Sequence, residues 1–324
     1  MAVTQPIGFG TDATAETVRR RLEGKRLDVN GAVFRVLIAA ALGISLVVLA
    51  VLLVDVVSGG WSVLSGRLGE FLAGDLVTSA EEAGIFQGLR GSFWIGVFTV
   101  VLAFPIGIGA AIYLEEYAPR NTFTRFIDIN IRNLAGVPSI VFGILGFAIF
   151  VKSLALFPDW LGGGVFFGGR TVMAAGVTLA ILVLPIVIIT SAEAIRAVPD
   201  SIREAGFGVG ATRWEVVRAH VLPYAAPGIL TGTVLSLARA LGEAAPLILV
   251  GAVTGRLGQQ TGFLDVGQLQ ERFTAMPIVI TEWAGTPQQG FEALTAAAIV
   301  VLLVVVLLAN TAAILLRNRY EKRR

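Results

Sequence analysis

The chain has 324 residues, 55% of them hydrophobic and only 15% charged, with a mean hydropathy of +0.80 and a net charge of +2. A soluble domain carries nearer a quarter charged residues, so too few remain here to clothe a water-facing surface, and lipid must solvate much of the chain. The small net charge gives no field for nucleic acid. With no cysteine and one histidine, His220, disulfides, thiolate metal sites, cysteine nucleophiles and two-histidine zinc motifs are excluded.

Residues 1–30 are polar and carry Arg19, Arg20, Arg21, Lys25 and Arg26. They do not read as a secretory signal, because the apolar run comes late and is long enough to span. A helix needs about 20 apolar residues to cross the hydrocarbon core. Windows of that kind fall at 36–54, 91–114, 133–151, 171–192 and 293–316. A fifth, in chain order, begins at 219, is interrupted by Arg239 and Glu243, and continues to about Gly251. Unbroken apolarity of this length argues for helices over barrel strands, which would alternate. The expected fold is therefore all-α, a polytopic membrane bundle of six transmembrane helices. Its parts are a tail (1–30), a first span with an outer loop (31–88), a core (89–316) with a connecting loop at 193–224, and a second tail (317–324).

Lys and Arg outside the spans gather about three to one in segments 1–35, 115–133, 193–224 and 317–324 over the segments that alternate with them. That bias puts both termini in the cytoplasm of a cell whose plasma membrane the chain crosses. The long segments 55–90 and 252–292 then lie outside. The second holds Trp283 and the turn residues Gly285, Thr286 and Pro287. Such loops either cap the outer mouth, meet an external partner, or passively cover the helix ends.

The loop VPDSIREAGFGVGATRWEVVRAHVLP (198–223) is unusual for a connector. Pro199 and Asp200 suit a helix start, and the helix can run through Glu204 and Ala205. Gly206, Gly208 and Gly210 weaken it and permit a sharp turn. Thr212 and Glu215 form a T-x-x-E capping box that starts a second helix, with Pro223 expected at its end. Helix, bend, helix makes a knob suited to a groove on another protein. The competing reading is an amphipathic loop on lipid headgroups.

In the fifth span, Arg239 and Glu243 sit four apart and are expected on one helix face. An ionisable side chain at mid-bilayer costs a few kcal/mol, so it faces a bundle interior or a water path. Gly228, Gly232, Ser236, Ala240 and Ala244 form a small-residue row, with Gly228 and Gly232 making a GxxxG for close helix packing. At about 100° per residue this row and the charges share a face, expected to point toward a partner subunit or a pore. A fixed cation favours passage of an anion, and the neighbouring carboxylate keeps it from holding the anion too tightly. The alternative is a static salt bridge that locks packing.

Glu204-Ala205-Gly206, Gly210 and Leu222-Pro223 resemble, in spacing, the EAA loop of ABC importer permeases. Gly206 stands where that pattern usually has a second alanine, and His220 where it is usually aliphatic. Arg239-Ala-Leu-Gly-Glu243-Ala-Ala-Pro246-Leu247 is similar to phosphate-specific ABC permeases, its Glu-x-Ala-Pro-Leu continuation to the A-type (PstA). Tyr113-Leu114-Glu115-Glu116-Tyr117, Pro138 to Gly143, Val198 to Glu204 and the stretch around Pro277 and Trp283 resemble the same subunit.

The resemblance implies a type I importer permease. It would pair with a C-type phosphate permease, sit on two copies of an ATPase subunit, and receive phosphate from an extracytoplasmic binding protein. Glu204, Ala205, Gly206 and Gly210 would couple to the ATPase. No G-x-x-x-x-G-K-[ST] run occurs in the chain. No cofactor is therefore expected in it, and ATP would be hydrolysed by the partner subunits. Rival readings are a sulfate or molybdate permease, an ion-coupled secondary transporter using Glu243, and an intramembrane hydrolase, for which the spans offer no Ser–His or paired-Asp set.

Overall fold

The computed structural model describes residues 29–153, 169–253 and 262–321, and every regular element among them is helical. Almost all of the tail expected over 1–30 lies outside the described residues. The chain divides into two compact units, residues 1–55 and 56–324. In the first, helix α1 (Val29–Gly66, continuing past the unit boundary) exposes its apolar side chains from Val33 to Val54. That suits a helix whose solvent is lipid.

The second unit continues α1 and adds α2 (Leu68–Ala73), α3 (Phe86–Ile112), α4 (Thr122–Ala135), α5 (Ser139–Gly146) and α6 (Val172–Arg196). Two short helices follow, α7 (Asp200–Gly208) and α8 (Arg213–Val216). Then come α9 (Leu222–Gly242), α10 (Ala245–Val250), α11 (Met276–Ala284) and α12 (Phe291–Glu321). Among the described residues five helical stretches are long and apolar enough to cross a membrane, and the bent pair α4–α5 makes up to six.

The central pairing is α3 on α6. Glycine permits the approach: a Cβ at Gly107 would sit 2.7 Å from Val187, and one at Gly176 2.5 Å from Phe98. Helices in lipid associate through such close backbone packing, because lipid tails are as apolar as leucine. Helix α9 lies against α6 and α12, α10 against α5, and α11 against α12.

Two spans differ from the sequence expectation. The window 133–151 is not one helix. Helix α4 is amphipathic, ends at Gly136, and meets the next helical stretch at a 99° bend. Pro138 sets the corner, since it fixes its own φ and disfavours helix in Val137. The helical stretch that follows runs over Ser139–Ser153 among the described residues.

The fifth span also breaks. Helix α9 stops at Gly242, Glu243 turns to φ −81°, ψ 118°, and α10 restarts at Ala245. Pro246 is the physical cause: it cannot donate to the carbonyl of Gly242, and its ring would strike it.

Segment 262–292 includes α11, whose Trp283 is buried between Phe71 and Phe291. Beside it lies a cavity of about 380 Å³ lined by Leu76, Thr78, Thr274, Glu282 and Trp283, among others.

Candidate functional site

Loop 198–223 forms a helical elbow. Pro199 precedes α7 and Asp200 lies in its first turn, where a carboxylate meets the positive end of the helix dipole. At the other end Gly210 N–H donates to Phe207 O (3.0 Å) and Ala211 N–H to Gly206 O (3.2 Å). This is the Schellman closure, and it requires the left-handed residue supplied by Gly210 at φ +83°.

Thr212 then caps α8 reciprocally: its Oγ1 accepts from Glu215 N–H (3.4 Å), and its own N–H donates to Glu215 Oε2 (2.8 Å). Pro223 does not end this helix, contrary to expectation. A π-turn, Val217–Val221, joins α8 to α9, so helix runs from Arg213 to Gly242 with Pro223 at the head of α9. The wider turn takes up a proline that a regular helix interior would reject.

The elbow is closed on itself and anchored beneath. Gly206 is buried, and a Cβ there would lie 2.7 Å from Val216. Val198, Val216 and Val221 join Ala111 of α3 and Ile188, Ala192 and Ile195 of α6 in one apolar cluster. The opposite surface stays uncovered. Glu204, Ala205 and Gly210 are exposed, as are Phe207, Trp214 and above all Val209, at 84%. His220 is exposed on the π-turn.

Sequence reasoning gave no role to the polar anchor under the elbow. Helix α3 ends in a π-turn, Tyr113–Tyr117, closed by Ala118 N–H to Tyr113 O (2.7 Å). Its Glu116 accepts from Arg203 of α7 through Nε (3.1 Å) and Nη2 (2.9 Å). The same guanidinium donates to the carbonyls of Ile195 and Val198 and to Asp200. All five of its N–H groups are therefore used, and both side chains are largely buried. Replacing Glu116 with an apolar side chain would leave that charge only the exposed Asp200 as a carboxylate partner and two of its N–H groups one acceptor short. Nearby, Arg196 pairs with Glu115, and Arg213 of α8 lies 5.8 Å from the centre of the Tyr117 ring. The Arg203–Glu116 contact spans 87 residues, and no local pattern announces it.

The second candidate centre is the broken fifth span. Arg239 Nε donates to Glu243 Oε1 at 3.3 Å, although Glu243 stands just past the helix end rather than on its face. The Arg239 side chain is 48% exposed, that of Glu243 19%. The small-residue row does not share their outlook. Gly232, Ser236 and Ala240 are buried. A Cβ at Gly232 would collide with Thr190, and one at Gly228 would sit 2.7 Å from Ala194. Both neighbours belong to α6, so at Gly232 and Gly228 this face meets the chain's own α6, although Gly228 keeps an exposed side.

The family described as "Binding-protein-dependent transport system inner membrane component" matches residues 103–323. A probable ABC transporter permease protein of Bacillus subtilis, YqgI, is 34% identical over 175 residues, covering 54% of this chain and 55% of its own length. The phosphate transport system permease protein PstC 2 of Mycobacterium bovis is 35% identical over 245 residues, covering 68% and 74%. PstA 1 of Mycobacterium tuberculosis is 33% identical over 211 residues, covering 64% and 64%. The chain thus spans about half of the Bacillus relative and about three quarters of the M. bovis one.

Among solved structures, the MetNI methionine ABC transporter superposes with a TM-score of 0.54 at 18% identity, over 73% of this chain and 97% of that one. A bacterial ABC transporter involved in the import of alginate gives 0.53 at 18%, over 89% and 98%. These likenesses carry the fold, that of type I ABC importer permeases. With its bundle of membrane-length helices and its match over residues 103–323, the chain belongs to the family of binding-protein-dependent transport system inner membrane components.

Proposed function

We propose that the chain is the A-type permease subunit of an ATP-driven phosphate importer. The observation that carries this reading is the elbow: a rigid, internally capped knob that exposes Phe207, Val209 and Trp214 and is fixed to the span ends beneath it. Exposed apolar side chains on a rigid support fit a protein groove. The chain has no P-loop of its own, so the motor is taken to be two copies of a partner ATPase subunit that receive the elbow. Phosphate as substrate draws support from the PstC and PstA relatives. The A-type assignment rests on Glu243-Ala-Ala-Pro246-Leu247, and the remaining partners are a C-type permease and an extracytoplasmic phosphate-binding protein. Both termini lie in the cytoplasm on the Lys/Arg bias.

In this reading Arg239 borders the path of the anion. Half-exposed on an apolar span, its guanidinium needs water, a partner subunit or an anion to offset its desolvation. The elbow supplies the drive. Closure of the ATPase pair displaces it and re-angles the spans attached to it.

The test is uptake of radiolabelled phosphate by vesicles holding the reconstituted complex, with sulfate as competitor. ATP-dependent uptake that excess sulfate leaves unchanged is expected. Uptake suppressed by sulfate, or independent of ATP, overturns the assignment.

A further inference from the structure

The elbow continues covalently into α6 on one side and α9 on the other, so its displacement reaches those two helices through the backbone. Helix α3 has no such connection, yet it makes the most extensive pairing in the structure, with α6. Its links to the elbow are side-chain contacts: Ala111 packs in one apolar cluster with Val198, Val216 and Val221, and the π-turn Tyr113–Tyr117 adds the polar ones. Both short helices of the elbow reach that one turn, α7 through Arg203 on Glu116 and α8 through Arg213 over Tyr117. The Arg203 guanidinium also holds the carbonyls of Ile195 and Val198, at the end of α6 and just beyond it. One charged group thereby ties the elbow to both members of the central helix pair.

We propose that the Glu116–Arg203 pair is a positioning strut that makes α3 follow the elbow, so that its integrity sets how much substrate moves for each ATP hydrolysed. This rests on the reading of the elbow as the ATPase-docking element and adds a residue outside the docking surface. A strut has to be stiff. The pair is largely buried, Nε and Nη2 of Arg203 share one carboxylate oxygen, and no N–H of the guanidinium is left to seek another partner. The neighbouring Arg196–Glu115 pair joins the same π-turn to α6 rather than to the elbow, and Arg196 is 55% exposed. Solvent can substitute for that contact, so it serves as the internal comparison.

The experiment uses the full complex reconstituted with its ATPase subunits and binding protein, and reads phosphate uptake and ATP hydrolysis side by side. Glu116→Gln keeps an acceptor oxygen in place and removes the charge. Uptake per ATP hydrolysed is expected to fall about tenfold, within the range of coupling between separated sites, with ATPase subunits still bound and hydrolysis retained. Glu115→Gln is expected to leave that ratio unchanged. Proportional loss of uptake and hydrolysis in Glu116→Gln, an unchanged ratio, or equal effects at both glutamates overturns the strut.

Should Glu116→Gln fail to assemble, the cysteine-free chain offers a second route. Glu116→Cys with Arg203→Cys, bridged by a short bis-maleimide cross-linker that adds one thiol at each end, should recover the ratio over the unbridged form, and no recovery overturns the proposal. Wild-type complex run in parallel separates the two claims: if it neither retains the ATPase nor takes up phosphate, the functional reading has failed and not the strut.

Discussion

At the scale of single residues, three positions make sharp demands. Gly210 is held at φ +83° with open space around its missing Cβ, so its cost is purely conformational. Gly210→Ala should destabilise the elbow by about 1 kcal/mol, and Gly210→Pro, which cannot reach that φ, should uncouple ATP hydrolysis from uptake with the complex still assembled. Gly206 is different, because Val216 occupies the space a methyl would need. Gly206→Ala should cost about 1–3 kcal/mol by overpacking, and Val216→Ala in the same chain should recover part of it. A double-mutant cycle on thermal stability of the complex reads this directly, and strict additivity would remove the close contact from the account. The EAA-type pattern usually has alanine here. The residue that compensates for the glycine is ten positions away, which is why the departure could be seen in the sequence but not explained. Arg239→Ala should abolish uptake without changing membrane insertion. If Glu243→Ala added to it restores transport, the pair is a lock and not part of the path.

At the scale of elements, local chemistry was legible and distant chemistry was not. The capping box Thr212–Glu215 was readable because its bonds close within three residues, and the structure contains them. Thr212→Ala should therefore cost about 1 kcal/mol and speed amide exchange in residues 213–216, with no change in exchange at α6. The span count was readable from apolar run length, but two boundaries were lost to the same residue type. Pro138 turns one expected helix into a bent pair, and Pro246 breaks another beside Glu243. Both prolines stood in plain view. A count of charge-free positions ignores them, because apolarity and helical continuity are separate properties. Pro223 erred in the opposite direction, since the π-turn before it lets the helix continue. The face of α9 was misread for a related reason: period alone groups Arg239 with Gly232, whereas packing assigns Gly232 to α6 and leaves Arg239 outside.

At the scale of the molecule, the elbow is the end of a continuous packed body. Its valines share a cluster with α3, α6 and α9, and a second cluster carries α3, α6 and the break after α9 on toward α11. Motion imposed at the elbow therefore meets close-packed helices with little slack. The Glu116–Arg203 bond adds a charged tie where the backbone supplies none. Such a body transmits displacement only if a partner grips its uncovered end, so coupling depends on what covers Val209, Phe207 and Trp214. Cysteine introduced by Val209→Cys in a chain that otherwise has none gives a single reporter at the most exposed of these side chains. Its rate of modification by a water-soluble maleimide, with and without the ATPase subunits, is the measurement to make. Strong protection when the ATPase is bound is the result expected. Equal rates with and without it would leave the elbow resting on lipid or water and would contradict the account.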